Sequence, residues 1–358
     1  MAERSDVIIV GASASGLMCA IEAAKRGRRV LVLDHANRAG KKILMSGGGR
    51  CNFTNLDISA DNYISHNPHF CKSALSRYTQ WDFIALVDAH NIDWEERELG
   101  KLFCKHSAKE ILAMLLDECG RAGVRIQLNS TVQRVEKKAD GFSVTANGSE
   151  RQGKSLVIAS GGLSIPKMCA SPFGYQVAEQ FGHHIWPTRA ALVPFTLQPD
   201  ERQRLQTLAG ISVDCDVSNA RTGFRGNILF THRGISGPAV LQISSYWQPG
   251  ETISINLLPD CDLGQLLTKQ QSISPNIKLK TLLAGLLAKR LLPCFLDEAL
   301  LEKPLQEISR QAFKDLARRL QQWQLKPGGT EGYRTAEVTL GGVDCNELSS
   351  KTMASNKV

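Results

Sequence analysis

The sequence predicts an α/β fold: a parallel sheet wound with helices, interrupted by an antiparallel β insertion that itself carries a helical insert. Three observations lead there. Val7 to Val10 is an apolar run that turns at Gly11 into a helix-spaced stripe and resumes as a second apolar run, Val30 to Leu33. That is the pattern of parallel strands buried on both faces. Leu156 to Ser160 repeats such a strand and ends in Gly161-Gly162. From about Pro187 the pattern changes to short alternating strands, followed by a leucine-rich stretch at helical spacing.

The first strand, turn and helix carry the strongest chemical signal. Gly11 lets the chain leave the strand sharply, the position of Ser13 brings backbone close to a phosphate, and Gly16 lets the helix pack on the sheet. Serine replaces the usual middle glycine and adds a Cβ where a ligand approaches, so a slightly altered turn is expected. Leu17, Ala20, Ile21 and Ala24 fall on one helical face, and Gly27 marks a stop. The positive end of this helix dipole, at Ala14 and Ser15, faces an anion. Asp34 ends the second strand eighteen residues beyond Gly16, near the separation of about 20 expected of a ribose-binding acid. An acid there favours an unphosphorylated ribose hydroxyl. The bland alternative is an ordinary strand–turn–helix, and the motif by itself does not separate FAD from NAD.

The next segment, Gly40-Lys41-Lys42-Ile-Leu-Met-Ser46-Gly47-Gly48-Gly49-Arg50-Cys51-Asn52-Phe-Thr-Asn55, is glycine-rich, basic and poor in bulky side chains. Successive backbone N–H groups in such a stretch form an anion-binding concavity, with Lys42 and Arg50 adding charge. A basic surface loop is the plain alternative. Joined to the preceding unit, the string closely resembles the YhiN/BaiN-like flavoprotein family of bacteria, in which this motif wraps the FAD. The resemblance runs along most of the chain. Leu156 to Gly162 resembles the family's second FAD strand and turn, which implies cofactor contacts at Ser160, Gly161 and Gly162. Gly174 to His183, Ala191 to Phe195, Asn227 to Leu241 and Ala336 to Val343 match further signatures in the same order.

Two departures stand out. Relatives usually carry a flexible glycine-bearing turn between the positions of Gly162 and Gly174, whereas this chain has Lys167 to Phe173, where Pro172 fixes φ and removes a donor. The sequence also stops at Lys357-Val358, where relatives continue into a glycine-rich strand and helix that would complete the FAD pocket.

The remaining elements follow in order. Helices are expected near Asn67 to Ala89 and Ser107 to Ala122, then strands at Arg125 to Leu128, Val132 to Lys137 and Phe142 to Ala146. The last two make a hairpin turning at Asp140-Gly141; in flavoproteins of this architecture such a hairpin lies beside the adenine, so Val132 is a candidate contact. Val193 to Leu197, Val213 to Val217, Ile228 to Phe230 and Ile253 to Leu257 read as an antiparallel β domain, and Thr335 to Val343 as its last strand. The expected organisation is an FAD-binding Rossmann-like domain over 1–186, an inserted β domain over 187–261 and 325–345, a helical insert over 262–324, and a return to the first domain beginning at 346–358. Lys278 to Leu292 has a sharper reading as a membrane-surface helix, but the prolines that flank it and the acids that follow favour core packing.

Composition sets outer limits. At 358 residues the chain suits about two domains. Net charge is +8, yet the basic residues occur as scattered pairs such as Arg28-Arg29, Lys137-Lys138 and Arg318-Arg319. They read as solvated faces, so nucleic acid is not expected as a partner. The ten cysteines include no C-x-x-C pair and read as reduced thiols of a cytoplasmic protein. His66, His69 and Cys71 lack a second ligand pair, so no metal is expected. No segment reaches the apolar length of a membrane span, and the first strand begins too early for a signal peptide.

The leading functional expectation is therefore an FAD-dependent oxidoreductase that passes electrons from NAD(P)H to a small organic acceptor or oxygen, the chemistry residing in the flavin. The resemblance links relatives to bile-acid double-bond reduction and to aminoacetone oxidation, so no substrate is named. Arg50, Cys51 and Asn52 are candidates for the flavin-facing edge; with no neighbouring cysteine in sequence, Cys51 reads as a packing or cofactor contact. A second reading is an RNA-associated flavoprotein, which requires salt-sensitive RNA binding. A third is a shortened protein that holds FAD poorly. Oligomeric state is not readable from the sequence.

Overall fold

The computed structural model describes residues 3–358, in two compact units: one running to Thr188 and resuming as Gly341–Val358, and Arg189–Leu340.

The first unit is built on a six-stranded sheet. Strand β1 (Glu3–Val10) pairs in parallel with β2 (Val30–Leu33) on one side and with Ser149–Ile158 on the other. Arg125–Gln127 extends the sheet beyond β2, and the antiparallel hairpin Val132–Lys138/Gly141–Ala146 extends it beyond Ser149–Ile158. All four residues of β2 are buried, as a central parallel strand requires. Alternation assigns the faces. Ile9, Val30 and Val32 pack with Leu17, Ala20 and Ile21 of helix α1 (Ala14–Lys25) and with Ile111, Leu112 and Leu115 of Ala108–Arg121. Ile8, Leu31 and Leu33 pack on the opposite face with Val144 and Ala146. The helix Ala108–Arg121 starts at a capping box in which Ser107 and Glu110 satisfy each other's backbone N–H groups.

The segment expected to be a glycine-rich loop holds more regular structure than its composition suggests. Helix α2 (Lys41–Gly49) is helical only through its first turn, because Ser46 is extended and Gly47 and Gly48 are left-handed. The chain then enters strand Asn52–Asn55, which pairs with Lys101–Cys104, itself paired with Trp94–Arg97. This three-stranded antiparallel sheet has no counterpart in the sequence reading. Its two outer members are polar and short, and periodicity over four residues is too weak a signal to expose them.

At the C-terminal end of the same unit, Glu347 fixes the last residues. Its carboxylate accepts from the His184 N–H at 2.7 Å and from Lys357 Nζ at 2.5 Å, and it lies 3.1 Å from His183 Nδ1, while His183 Nε2 lies 2.7 Å from Ser355 Oγ. The Lys357 ammonium and the His184 N–H hold the Glu347 carboxyl down at about 2.

The second unit is a seven-stranded antiparallel sheet: Trp323–Leu325, Ile253–Asn256, Ser212–Ser218, Gly223–Phe230, Gly234–Ser236, Phe195–Thr196 and Gly329–Thr330, in that spatial order. The leucine-rich stretch forms Leu263–Ile273, several shorter helical turns and Arg310–Gln321. It is not a separate body, because Leu267, Leu279, Leu283, Leu291 and Phe313 share one core with Phe230, Ile253 and Ile255 of the sheet. Leu279, Leu283 and Leu291 are fully buried, so the apolar face of Lys278 to Leu292 is spent on packing. Among the described residues no helix is long and apolar enough to cross a membrane.

Candidate functional site

The first unit contains a cleft of about 510 Å³, within the range of small-molecule sites, about 300–1,000 Å³. It opens at the carboxyl ends of β1 and β2, where ligands of open α/β sheets bind. Its floor is the turn after β1. Gly11 has φ +116°, and a Cβ there would lie 2.3 Å from the Ala159 carbonyl oxygen; a Cβ on Gly16 would lie 1.8 Å from the Gly11 carbonyl oxygen. Only glycine allows these two approaches. Ser13, by contrast, has φ −119° and ψ −164°, extended backbone that any residue adopts. That is why serine is tolerated where the motif usually has glycine. Ser13 makes no side-chain cap, so the first N–H groups of α1 remain available to an anion.

Asp34 closes the turn from the side. Its carboxylate accepts from the Ala12 N–H at 2.6 Å and from the Ala36 N–H at 2.8 Å, one on each oxygen. Each oxygen keeps a lone pair, so a ribose hydroxyl can still be received. The opposite wall carries positive charge. Lys41 and Lys42 line the cleft; Lys41 Nζ donates to Cys169 Sγ and Lys42 Nζ to Ser164 Oγ, both at 3.2 Å. Burial pulls the Lys42 ammonium below its ordinary pKa. Neither ammonium has an ion-pair partner among the described residues, which leaves a half-buried cation pair that a bound anion would complete.

Of the residues singled out from the sequence, Gly11, Ser13, Ala14, Ser15, Asp34, Gly40, Lys41, Lys42, Val132, Ser160 and Gly161 line this cleft. Gly16 lies behind the turn as its packing contact. Ser46, Gly47, Gly48, Gly49, Arg50, Cys51, Asn52 and Gly162 do not line it. Arg50 donates to the Lys105 carbonyl at 2.8 Å and lies 3.9 Å from Glu95, so its charge is directed to the three-stranded sheet. Cys51 is buried, and burial pushes its thiol up. It neighbours Cys104, whose thiol burial pushes up to about 12 with Cys51 adding to the shift. Both are poor nucleophiles. His66 stacks on Trp186 with ring centroids 4.0 Å apart, and no group of three His, Cys, Asp or Glu is placed to hold a metal among the described residues.

The structure adds residues that sequence reasoning missed. His35, Ala36 and Arg38 follow Asp34 into the cleft, Ser130 and Thr131 precede Val132, and Met168 to Ser171 with Phe173 form the remaining wall. Proximity to Asp34 and Val132 was an available signal for the first two groups. The last lies in the stretch where the sequence departs from its relatives, and nothing in its composition marks it as a wall. Ser160 Oγ is buried there without a hydrogen-bond partner among the described residues.

These features fit a dinucleotide. Gly11 and the start of α1, with Lys41 and Lys42, would hold the pyrophosphate, and Asp34 the adenosine ribose. FAD would supply hydride-transfer chemistry.

Residues 5–358 match the family model described as the HI0933-like protein Rossmann domain. A relative from Escherichia coli (strain K12) named ribosomal RNA dihydrouridine synthase is 54% identical, over 99% of this chain and 90% of its own length. One of the same name from Haemophilus influenzae is 47% identical, over 100% and 90%. A 3-dehydro-bile acid delta(4,6)-reductase from Clostridium scindens is 27% identical, over 97% and 88%. The chain belongs to the HI0933-like Rossmann family, which is the YhiN/BaiN-like family that its glycine turn and Gly40 to Asn55 segment resemble.

Proposed function

We propose that the protein is an FAD-dependent reductase that saturates the C5–C6 double bond of a uridine in ribosomal RNA, with NAD(P)H as electron donor. The observation that carries this reading is 54% identity along nearly the whole chain to a relative of that name. The chemistry is coherent across more distant kin. A uridine C5–C6 bond is conjugated to the C4 carbonyl, and the name of the bile-acid relative likewise describes double bonds conjugated to a ketone. Reduction of the uridine bond is then a conjugate reduction: hydride adds to C6, the carbon β to the C4 carbonyl, and a proton from solvent or an acid adds to C5. NAD(P)H and one proton are consumed, and NAD(P)+ and dihydrouridine are formed.

The chain's own contribution at the described cleft is to bind and orient. Gly11 and Gly16 bring backbone donors to the phosphates, Asp34 fixes the ribose end, and Lys41 and Lys42 balance the pyrophosphate charge. The basic residues lie in scattered pairs, and it is the kinship with the Escherichia coli relative that favours RNA as the acceptor. A small enone remains the alternative acceptor, favoured by the bile-acid relative. The test is to incubate FAD-loaded protein with ribosomal RNA lacking dihydrouridine and with NADPH or NADH, then to measure dihydrouridine by nucleoside mass spectrometry. Dihydrouridine at a defined position supports the reading. NAD(P)H oxidation with a small enone and none with RNA would overturn it.

A further inference from the structure

Both cleft lysines are held by one short segment, residues 163–173. Ser164, which is buried, accepts from Lys42, and Cys169 accepts from Lys41. The Cys169 carbonyl oxygen lies 3.0 Å from His35 Nε2, so three side chains of the cleft end on this strap. The strap is strained where it makes these contacts. Ile165 has φ +54° and ψ 70°, and Cys169 has φ +65° and ψ 36°. A β-branched residue in the left-handed region is an outlier, and such outliers persist where surrounding structure over-determines them. Pro166 begins the turn between them, and Pro172 ends the strap at the helix Phe173–Gln180. Neither lysine bond is an ion pair, so the strap orients the ammonium groups without supplying the counter-charge.

We propose that Ser164 and Cys169 are positioning residues for dinucleotide binding: they hold the Lys42 and Lys41 ammonium groups at the cleft so that the pair meets a pyrophosphate already ordered. This rests on reading the cleft as the FAD site, and is independent of whether the acceptor is RNA. The free energy that two long side chains would otherwise lose on binding is lost at folding instead, which is how pre-organisation raises affinity.

The test uses the full chain freed of flavin and compares ADP, which presents a diphosphate, with adenosine, which does not. Calorimetric titration of a Ser164→Ala, Cys169→Ala double variant is expected to show ADP affinity about tenfold lower, the scale of immobilising two rotamer-rich side chains, and adenosine affinity unchanged. Ser164→Thr with Cys169→Ser keeps an acceptor at both places and is expected to restore ADP binding. Equal losses for ADP and adenosine would make the strap a mere wall and overturn the proposal. So would unchanged ADP binding in the alanine variant, or failure of the Thr/Ser variant to recover it. A result of either kind leaves the uridine assay to stand or fall by itself.

Discussion

Two glycine-rich segments of the first unit use the same residue for different physical reasons. In the turn Gly11 to Gly16, glycine is required by space: a side-chain carbon would sit 2.3 Å from one carbonyl oxygen at Gly11 and 1.8 Å from another at Gly16. In Gly47 to Gly49 all three have left-handed φ, +57°, +66° and +87°; a Cβ at Gly47 would also lie 2.7 Å from the Asn52 N and the Phe103 ring, whereas at Gly48 it would meet nothing within 4 Å, so there conformation alone asks for glycine. The first segment is the floor of the cleft; the second links a helical turn to a small sheet. A glycine motif in sequence therefore does not say whether a ligand, a neighbouring backbone or a dihedral angle demands it.

Substitutions separate these demands. The largest effect is expected for Gly16→Ala, where the collision is with backbone that cannot move without displacing the turn. Unfolding by denaturant should show a loss of about 3 kcal/mol, at the upper end of overpacking costs, together with loss of bound flavin absorbance. Asp34→Asn comes next, because one of the two backbone N–H groups, Ala12 or Ala36, then faces an NH2 with no acceptor and the other keeps only an uncharged one. A loss of about 2 kcal/mol is expected in the same measurement, and retention of full stability would show that the carboxylate does not brace the turn. Gly48→Ala should cost only about 1 kcal/mol, the left-handed penalty for an L residue, and leave flavin loading intact. Loss of flavin from that variant would erase the distinction between the two segments.

The smallest effect lies away from both glycine segments. Because the folded Glu347 carboxyl is depressed to about 2, below the ordinary glutamate range, its contribution to stability is present above the unfolded value and is lost as pH falls through the folded one. Thermal unfolding between pH 5 and pH 2 should therefore decline less steeply in Glu347→Gln than in the parent. Parallel declines would show that the carboxylate contacts contribute nothing in solution.

Much of this was legible in the residues. The β1 to β2 unit, the hairpin at Asp140-Gly141 and four strands of the second unit (at 195–196, 212–218, 223–230 and 253–256) each rest on a strong local signal: an apolar run, a turn pair, an alternation. The two- and three-residue strands at 234–236, 323–325 and 329–330 carry no such signal, and Thr335 to Val343, expected as the last strand of the β domain, instead gives Val338–Val343, paired with Ile185–Ala191 in a sheet of two. The cleft was legible where backbone geometry dictates residue type, at Gly11, Gly16 and Asp34. It was not legible at Met168 to Ser171, whose role comes from a strained path and from contacts more than a hundred positions away in sequence. Nor was the turning of Arg50 toward Glu95 and Lys105 readable, since it depends on a three-stranded sheet made of strands too short and polar to show a period. The helical stretch after Asp262 was readable as helix, but its sharing of one core with the β-sheet was not, because periodicity reports a buried face and not the surface that buries it.

We propose that the turn after β1, and not the glycine run of α2, holds the FAD phosphates. Titration of FAD into the flavin-free parent, Gly16→Ala and Gly48→Ala proteins tests it directly. The account predicts binding of one FAD per chain to the parent and to Gly48→Ala with similar affinity, and none to Gly16→Ala while that protein remains folded by circular dichroism. Undiminished binding to folded Gly16→Ala, or loss of binding confined to Gly48→Ala, would contradict it.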